Sequence, residues 1–225
     1  MGIFEVKPRE VFAVYKPIGP TSNAVLQKIR KIFQTRVVGH AGTLDPLASG
    51  VLVVGVDREG TKQLREIIGS EKEYIAEVRF GMTSTTDDEE GEKAKISVAS
   101  FPGLDAVTMV AKSFIGNILQ APPQFSAIKV GGRQAYKIAR QGRSVNLGHR
   151  QVEIKEIEIL DYTWPILKIR TVTGSGVYIR SLARDIGEKL RVGGYLASLE
   201  RTRVGNFKKE DAIKLEELEE KRAGA

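Results

Sequence analysis

The stretch GHAGTLDPLASGVLVVGV, residues 39–56, constrains this chain more than any other. Val51, Leu52, Val53 and Val54 form an unbroken apolar run, the pattern of a strand buried on both faces. Such a strand anchors whatever precedes it to a core. What precedes it is a glycine-rich turn carrying one carboxylate, Asp45. Gly39, Gly42 and Gly50 remove side chains where the backbone turns sharply or where another group comes close, and Pro46 biases Asp45 towards an extended conformation. The turn presents its acid rigidly. On these residues alone an Asp-Pro pair is ordinarily turn chemistry, with catalysis as the second reading.

The rest of the composition narrows the chemistry. No cysteine is present, which excludes disulfides, thiolate zinc sites and cysteine nucleophiles. His40 and His149 lie far apart in sequence, so no transition-metal site is expected. A chain of 225 residues, 41% hydrophobic and 28% charged, suits one globular folding unit, either one large domain or a domain with an appendage. No run approaches the roughly 18 apolar residues of a membrane span. The N-terminus MGIFEVKPRE lacks the basic, apolar and small-residue order of a secretion signal, so a cytoplasmic location is expected. The net charge of +7 favours a polyanionic partner, although charge alone is a weak signal.

Along the chain, residues 11–15 read as a strand, and KPIGPTS as a rigid turn. A helix capped by Thr21 or Ser22 follows, with Val25, Leu26, Ile29, Ile32 and Phe33 on one face. Thr61 is expected to cap a second helix through Leu64, Ile67 and Ile68, ending near Gly69. In KEYIAEVRFG, Tyr74, Ala76, Val78 and Phe80 alternate with polar or outward positions, as in a strand with one buried face. A tyrosine in that row is ordinarily core. The segment TSTTDDEEGE, residues 83–92, is expected as an exposed loop whose acids would repel RNA phosphates unless they face away.

Leu104, Val107, Val110, Ala111 and Phe114 predict another amphipathic helix, terminated at Gly116. Residues 126–130 are expected as a strand, Gly131 and Gly132 as a turn, and residues from Ala135 as a short helix stopped at Gly142. Arg133, Lys137, Arg140, Arg143 and Arg150 make this region basic, as a phosphate-contact surface requires. Two alternating runs, Val152 with Ile154 and Ile157 with Ile159, break at Lys155 and Glu156, which predicts a long strand with a bulge. It should turn at Trp164 and Pro165 and pair with an antiparallel neighbour through Leu167 and Ile169. A helix from about Tyr178 turns Ile179, Leu182, Ala183, Ile186 and Leu190 inward, with Arg180 opening it and Arg184 one turn on, either of them able to balance Asp185 or Glu188. After Phe207 a short charged helix with a frayed end is expected. Irregular alternation of strands and helices predicts an α+β fold with a mixed, largely antiparallel sheet flanked by helices.

Residues 9–207 resemble the TruB-type tRNA pseudouridine-55 synthases through YKPIGPTS, GHAGTLDPLASGVL, KEYIAEVRFG, TSTTDDEEG, PPQFSAIKVGGRQAY, ARQGR, GVYIRSLARDIG and GGYLASLERTRVG, in family order. The resemblance implies a pseudouridine synthase catalytic domain with a central RNA-binding cleft, no cofactor, and tRNA as partner through its T stem-loop. A monomer is expected. Asp45 matches the family's catalytic nucleophile, Arg180 the arginine that pairs with it, and Tyr74 the residue that stacks on the target uracil. His40, Lys16, Tyr178 and Leu199 match positions that line or support the substrate site. Arg133, Lys137, Arg140 and Arg143 remain the RNA-contact candidates of the basic surface.

Two departures from the family pattern stand out. The turn after the apolar strand reads Asp57-Arg58-Glu59-Gly60-Thr61-Lys62 rather than the commoner Gly-Glu/Arg-Ala-Thr-Lys type. The usual C-terminal RNA-binding domain is expected to be absent or truncated, with residues 1–207 as the catalytic domain and 208–225 as a charged tail. A guide-RNA-directed synthase subunit is a rival reading, against which Leu47-Ala48-Ser49 resembles the stand-alone bacterial type. A non-catalytic tRNA-folding chaperone is another, and the joint presence of Asp45, Tyr74 and Arg180 argues against it.

Overall fold

The computed structural model of the chain describes residues 11–143 and 145–223. Strand β1 (Val11–Lys16) leads into helix α1 (Ser22–Phe33); β2 (Val38–His40) and β3 (Ala48–Val56) flank the Asp45 loop, followed by α2 (Asp57–Ile68) and β4 (Lys72–Phe80). The short strands β5 (Met82–Ser84) and β6 (Lys93–Lys95) pair with each other, ahead of α3 (Leu104–Lys112) and β7 (Gly116–Gln120). A second small hairpin, β8 (Lys129–Val130) and β9 (Arg133–Gln134), opens into α4 (Ala135–Ala139). The long strands β10 (Arg150–Thr163) and β11 (Ile166–Thr173) precede α5 (Ile179–Lys189). The chain closes with β12 (Gly194–Val204), β13 (Phe207–Lys208), β14 (Ile213–Lys214) and α6 (Leu215–Ala223).

Contacts divide the chain into two compact units, Ile75–Leu199 forming one and the residues on either side of it the other. In the first unit the strand order is β14–β1–β3–β12, with β12 contributing its C-terminal end. Strand β1 runs antiparallel to β3 and parallel to β14, and β2 adds an antiparallel edge to β3. All nine residues of β3 are buried. Its two faces serve different clusters. Leu52, Val54 and Val56 pack with Phe12, Val14, the α1 residues Val25, Leu26, Ile29 and Phe33, and Leu215 and Leu218 of α6. Val51 and Val53 pack with Ala13, Leu64 of α2 and Val204. Each such side chain contributes about 1.5–3 kcal/mol on burial, so the strand behind the Asp45 loop is rigidly seated.

In the second unit the order is β4–β11–β10–β7, with β10 antiparallel to both neighbours. The register of β10 against β11 shifts between Ile154 and Glu156, the bulge predicted at Lys155 and Glu156, and again between Ile159 and Asp161. Trp164 stacks on Phe80 and Phe101 at the β10–β11 turn. Ile179, Leu182, Ala183 and Ile186 make the buried face of α5. The α+β class, mixed and largely antiparallel, is the one that the sequence predicts.

Four local expectations are corrected. Helix α2 starts at Asp57, directly after β3, and Thr61 lies inside it, its hydroxyl donating back to the Asp57 and Arg58 carbonyls. The start is fixed instead by Asp57, whose amide donates to the Val37 carbonyl and whose carboxylate accepts from the Thr35 hydroxyl. Gly116 opens β7 at φ +107°, while α3 ends at Lys112. Only residues 129–130 of the stretch 126–130 are strand. Beyond Phe207 the chain is not helix alone: β14 pairs with β1, and Leu215 and Leu218 join the core. The frayed end expected there, like the N-terminal ten residues, lies outside the described residues.

Candidate active site

Asp45 is half-buried in the loop between β2 and β3, and the residues around it are tied down at successive points. Lys16, fully buried at the end of β1, donates from Nζ to the carbonyls of Pro17 (2.8 Å), Ala48 (2.6 Å) and Pro46 (3.5 Å). The Gly19 amide donates to the Pro46 carbonyl at 2.8 Å. Ser22 exchanges two bonds with Leu44: its hydroxyl donates to the carbonyl and accepts from the amide, each at 2.8 Å. The Ala48 amide closes a turn onto the Asp45 carbonyl at 3.1 Å. The YKPIGPTS segment therefore works as the frame of the acid loop. This is why a turn and a helix start precede Asp45 in sequence.

The loop is held on both sides by Arg201 from β12. Its Nε donates to the Val51 carbonyl at 2.8 Å and a terminal nitrogen to the Gly42 carbonyl at 3.0 Å. Gly50, at φ +108°, lies so close to β12 that a Cβ would come within 2.2 Å of the Arg201 carbonyl oxygen. A glycine is obligatory at that spot. The close approach at Gly50 is thus by protein backbone.

Tyr74 occupies the buried row of β4 and is 7% exposed, its hydroxyl beside the Arg201 guanidinium. His40, in β2, has a buried Nδ1 with no hydrogen-bond partner among the described residues. Burial, with the Arg201 charge adding to it, holds the His40 pKa below its ordinary value, so the ring is neutral at neutral pH. Lys72 donates to the Ile68 and Ser70 carbonyls at 3.0 and 2.7 Å, and burial together with Arg201 lowers its pKa to about 8.

The remaining candidates belong to the second unit. Arg180, the second residue of α5, is 6% exposed and donates to the Asp88 carboxylate (3.2 Å) and to the carbonyls of Thr86 (3.2 Å) and Phe125 (2.9 Å). Asp88, 2% exposed, also accepts from the Thr86 hydroxyl and the Glu90 amide. Arg184 binds the Asp87 and Asp185 carboxylates, both at 2.8 Å, and the Ala121 carbonyl. Burial pushes the Asp87 and Asp185 carboxyls up, against the pull of Arg184. The expected exposed acidic loop is corrected here: two of its acids are drawn inward because α5 presents two guanidinium groups that need buried counter-charges.

The backbone of Tyr178, at the entry to α5, is gripped by Gln120: its amide donates to Oε1 at 2.8 Å and its carbonyl accepts from Nε2 at 3.2 Å. Leu199 is half-buried in β12. Arg133, Lys137, Arg140 and Arg143 are all exposed on the β9–α4 excursion, with the Arg140 guanidinium 5.4 Å from the Tyr136 ring centre. Among the described residues, no three His, Asp or Glu side chains are placed to hold a metal ion, and no helix is long and apolar enough to cross a membrane.

Comparison with known proteins decides the family. The TruB family pseudouridylate synthase N-terminal domain matches residues 30–179, and the tRNA pseudouridylate synthase B C-terminal domain matches residues 180–224. The chain belongs to the TruB family of pseudouridylate synthases. It is 46% identical over 213 residues to tRNA pseudouridine synthase B of Corynebacterium glutamicum, covering 92% of this chain and 71% of the relative. It is 44% identical over 218 residues to the enzyme of the same name from Mycobacterium tuberculosis, covering 95% and 72%. Among solved structures, a Cbf5–Nop10–Gar1 complex shares its fold at a TM-score of 0.71 and 32% identity, over 92% of this chain and 52% of that one. As a member of this family the chain is an isomerase that forms pseudouridine.

Sequence reasoning missed two residues of this frame, Ser22 and Arg201, and one of the second unit, Asp88. Ser22 was read only as a cap, Arg201 was one cation in LERTR, and Asp88 was one acid in an apparent loop.

Proposed function

We propose that this TruB-family chain converts uridine to pseudouridine in the T loop of tRNA, at position 55, with Asp45 as nucleophile and no cofactor. The reaction breaks the bond between ribose carbon 1 and base nitrogen 1, joins that carbon to base carbon 5, and moves the carbon 5 proton off as nitrogen 1 regains one. Electrons balance within the nucleoside, so the protein has to supply only a nucleophile, a proton acceptor and a grip on the detached base. Attack on the ribose or on the base makes the same demand of Asp45: an ionised carboxylate held still. The observation that carries the reading is the fastening of its loop by Lys16, Gly19 and Ser22 to the residues on both sides of it.

In this reading Tyr74 stacks on the flipped uracil and takes part in removing the carbon 5 proton, and Arg180 is the third catalytic residue. His40, Lys16, Tyr178 and Leu199 shape the substrate site. The exposed cations of the β9–α4 excursion contact phosphates. Identity to the tRNA synthases is 46%, against 32% to the Cbf5–Nop10–Gar1 complex, which supports tRNA as the substrate. The test is an unmodified tRNA transcript incubated with the protein and mapped for pseudouridine by position. Modification confined to position 55 of the T loop is expected, and modification elsewhere or none would refute the assignment.

A further inference from the structure

Arg201 carries a full charge into a place where only 1% of it meets solvent. Burying a guanidinium is costly, and an apolar side chain of similar volume would fill the space without that cost. The charge is accounted for by what it touches. One edge of the guanidinium binds the carbonyl of Val51, the other that of Gly42, and the Tyr74 hydroxyl lies beside it and supports its charge against burial. Gly42 and Val51 bracket the segment that presents Asp45. A planar fork with fixed donors holds such groups in one relation, which an apolar group cannot do and a single rotatable ammonium does only in part.

The same residue is fixed through its backbone. Its carbonyl and amide pack against Gly50 so closely that no side chain fits between them. Arg201 therefore moves neither along its strand nor about its own side chain without shifting the loop. Burial, and after it the Arg201 charge, lowers the pKa of His40 and of Lys72.

We propose that Arg201 is a positioning residue for the isomerisation: its guanidinium locks the Asp45 loop in one geometry and acts on the substrate only through it. This rests on the reading of Asp45 as the nucleophile. The test uses the full chain with Arg201→Met, Arg201→Lys and Asp45→Asn, measuring single-turnover pseudouridine formation on a tRNA transcript. Binding of the same tRNA is titrated for affinity and for sites per chain.

Arg201→Met is expected to bind tRNA at the parent's affinity and site number while its rate falls on the order of a hundredfold, the scale of a small misplacement of reacting groups. Arg201→Lys keeps the charge and recovers part of that rate. A parental rate in Arg201→Met with an inactive Asp45→Asn would overturn the proposal. So would rate losses in both Arg201 variants matched by equal losses of binding sites, the mark of a residue needed for folding alone. An active Asp45→Asn would instead remove the nucleophile assignment, and the proposal with it.

Discussion

Gly19 and Gly50 share a backbone dihedral, φ +109° and +108°, but not their surroundings. A Cβ at Gly19 would meet nothing within 4 Å, whereas at Gly50 it would lie 2.2 Å from the Arg201 carbonyl oxygen and 2.7 Å from its amide nitrogen. Alanine at each position therefore separates backbone strain from collision. The strain of a Cβ at positive φ costs about 1–2 kcal/mol and falls on both variants. The collision adds about 1–3 kcal/mol at Gly50 alone, since the obstacle is strand backbone and cannot rotate away. Gly50→Ala should lose about 2–5 kcal/mol and Gly19→Ala about 1–2. For a chain of this length each kcal/mol shifts Tm by about 2–4 °C, so thermal melting by circular dichroism should place Gly50→Ala roughly 10 °C below the parent. Gly19→Ala should fall well between them. Equal losses in the two variants, or a parental Tm for Gly50→Ala, would refute the packing of β3 against β12 on which the site's rigidity depends.

Other outcomes follow from the same geometry. Asp88→Asn removes the charge that a buried Arg180 binds, and urea denaturation should report a loss of about 3–5 kcal/mol; an unchanged midpoint would contradict the pairing. Ser22→Ala leaves the buried Leu44 amide without its acceptor, at about 1–3 kcal/mol, and should slow single-turnover catalysis more than it weakens tRNA binding. Lys72 has a folded-state pKa of about 8 against a higher unfolded value, so the unfolded chain binds more protons above pH 8 and the folded state gains stability there as pH rises. Parent minus Lys72→Met stability, measured by denaturant across that range, should rise with pH; a flat difference would contradict the shift. Replacing Arg133, Lys137, Arg140 and Arg143 together by Gln should reduce the salt slope of tRNA binding by about 3, and an unchanged slope would remove them from the interface.

How much of this was readable depended on the range of each interaction. The run Val51 to Val54 announced a strand covered on both faces, and α1 and α2 cover it, because apolar periodicity is written locally. The break at Lys155 and Glu156 announced the bulge for the same reason. The frame of Asp45 was legible only in part. Its loop and glycines stand together in sequence, but Arg201 reaches Gly42 across 159 positions and Ser22 reaches Leu44 across 22. No local pattern marks which of many arginines turns inward. Asp88 was misread because burial of an acid is decided by a counter-charge 92 residues away, on α5. Thr61 suits a cap by residue type, but the helix start is set by the bonds of Asp57 to Val37 and Thr35, which no local pattern announces.

The most direct test of the central claim compares the parent with Asp45→Asn on an unmodified tRNA transcript, reading pseudouridine at position 55 under single-turnover conditions with tRNA binding measured alongside. The account predicts full conversion by the parent and none by the variant, with binding retained. Pseudouridine formed by Asp45→Asn at the parental rate would contradict it.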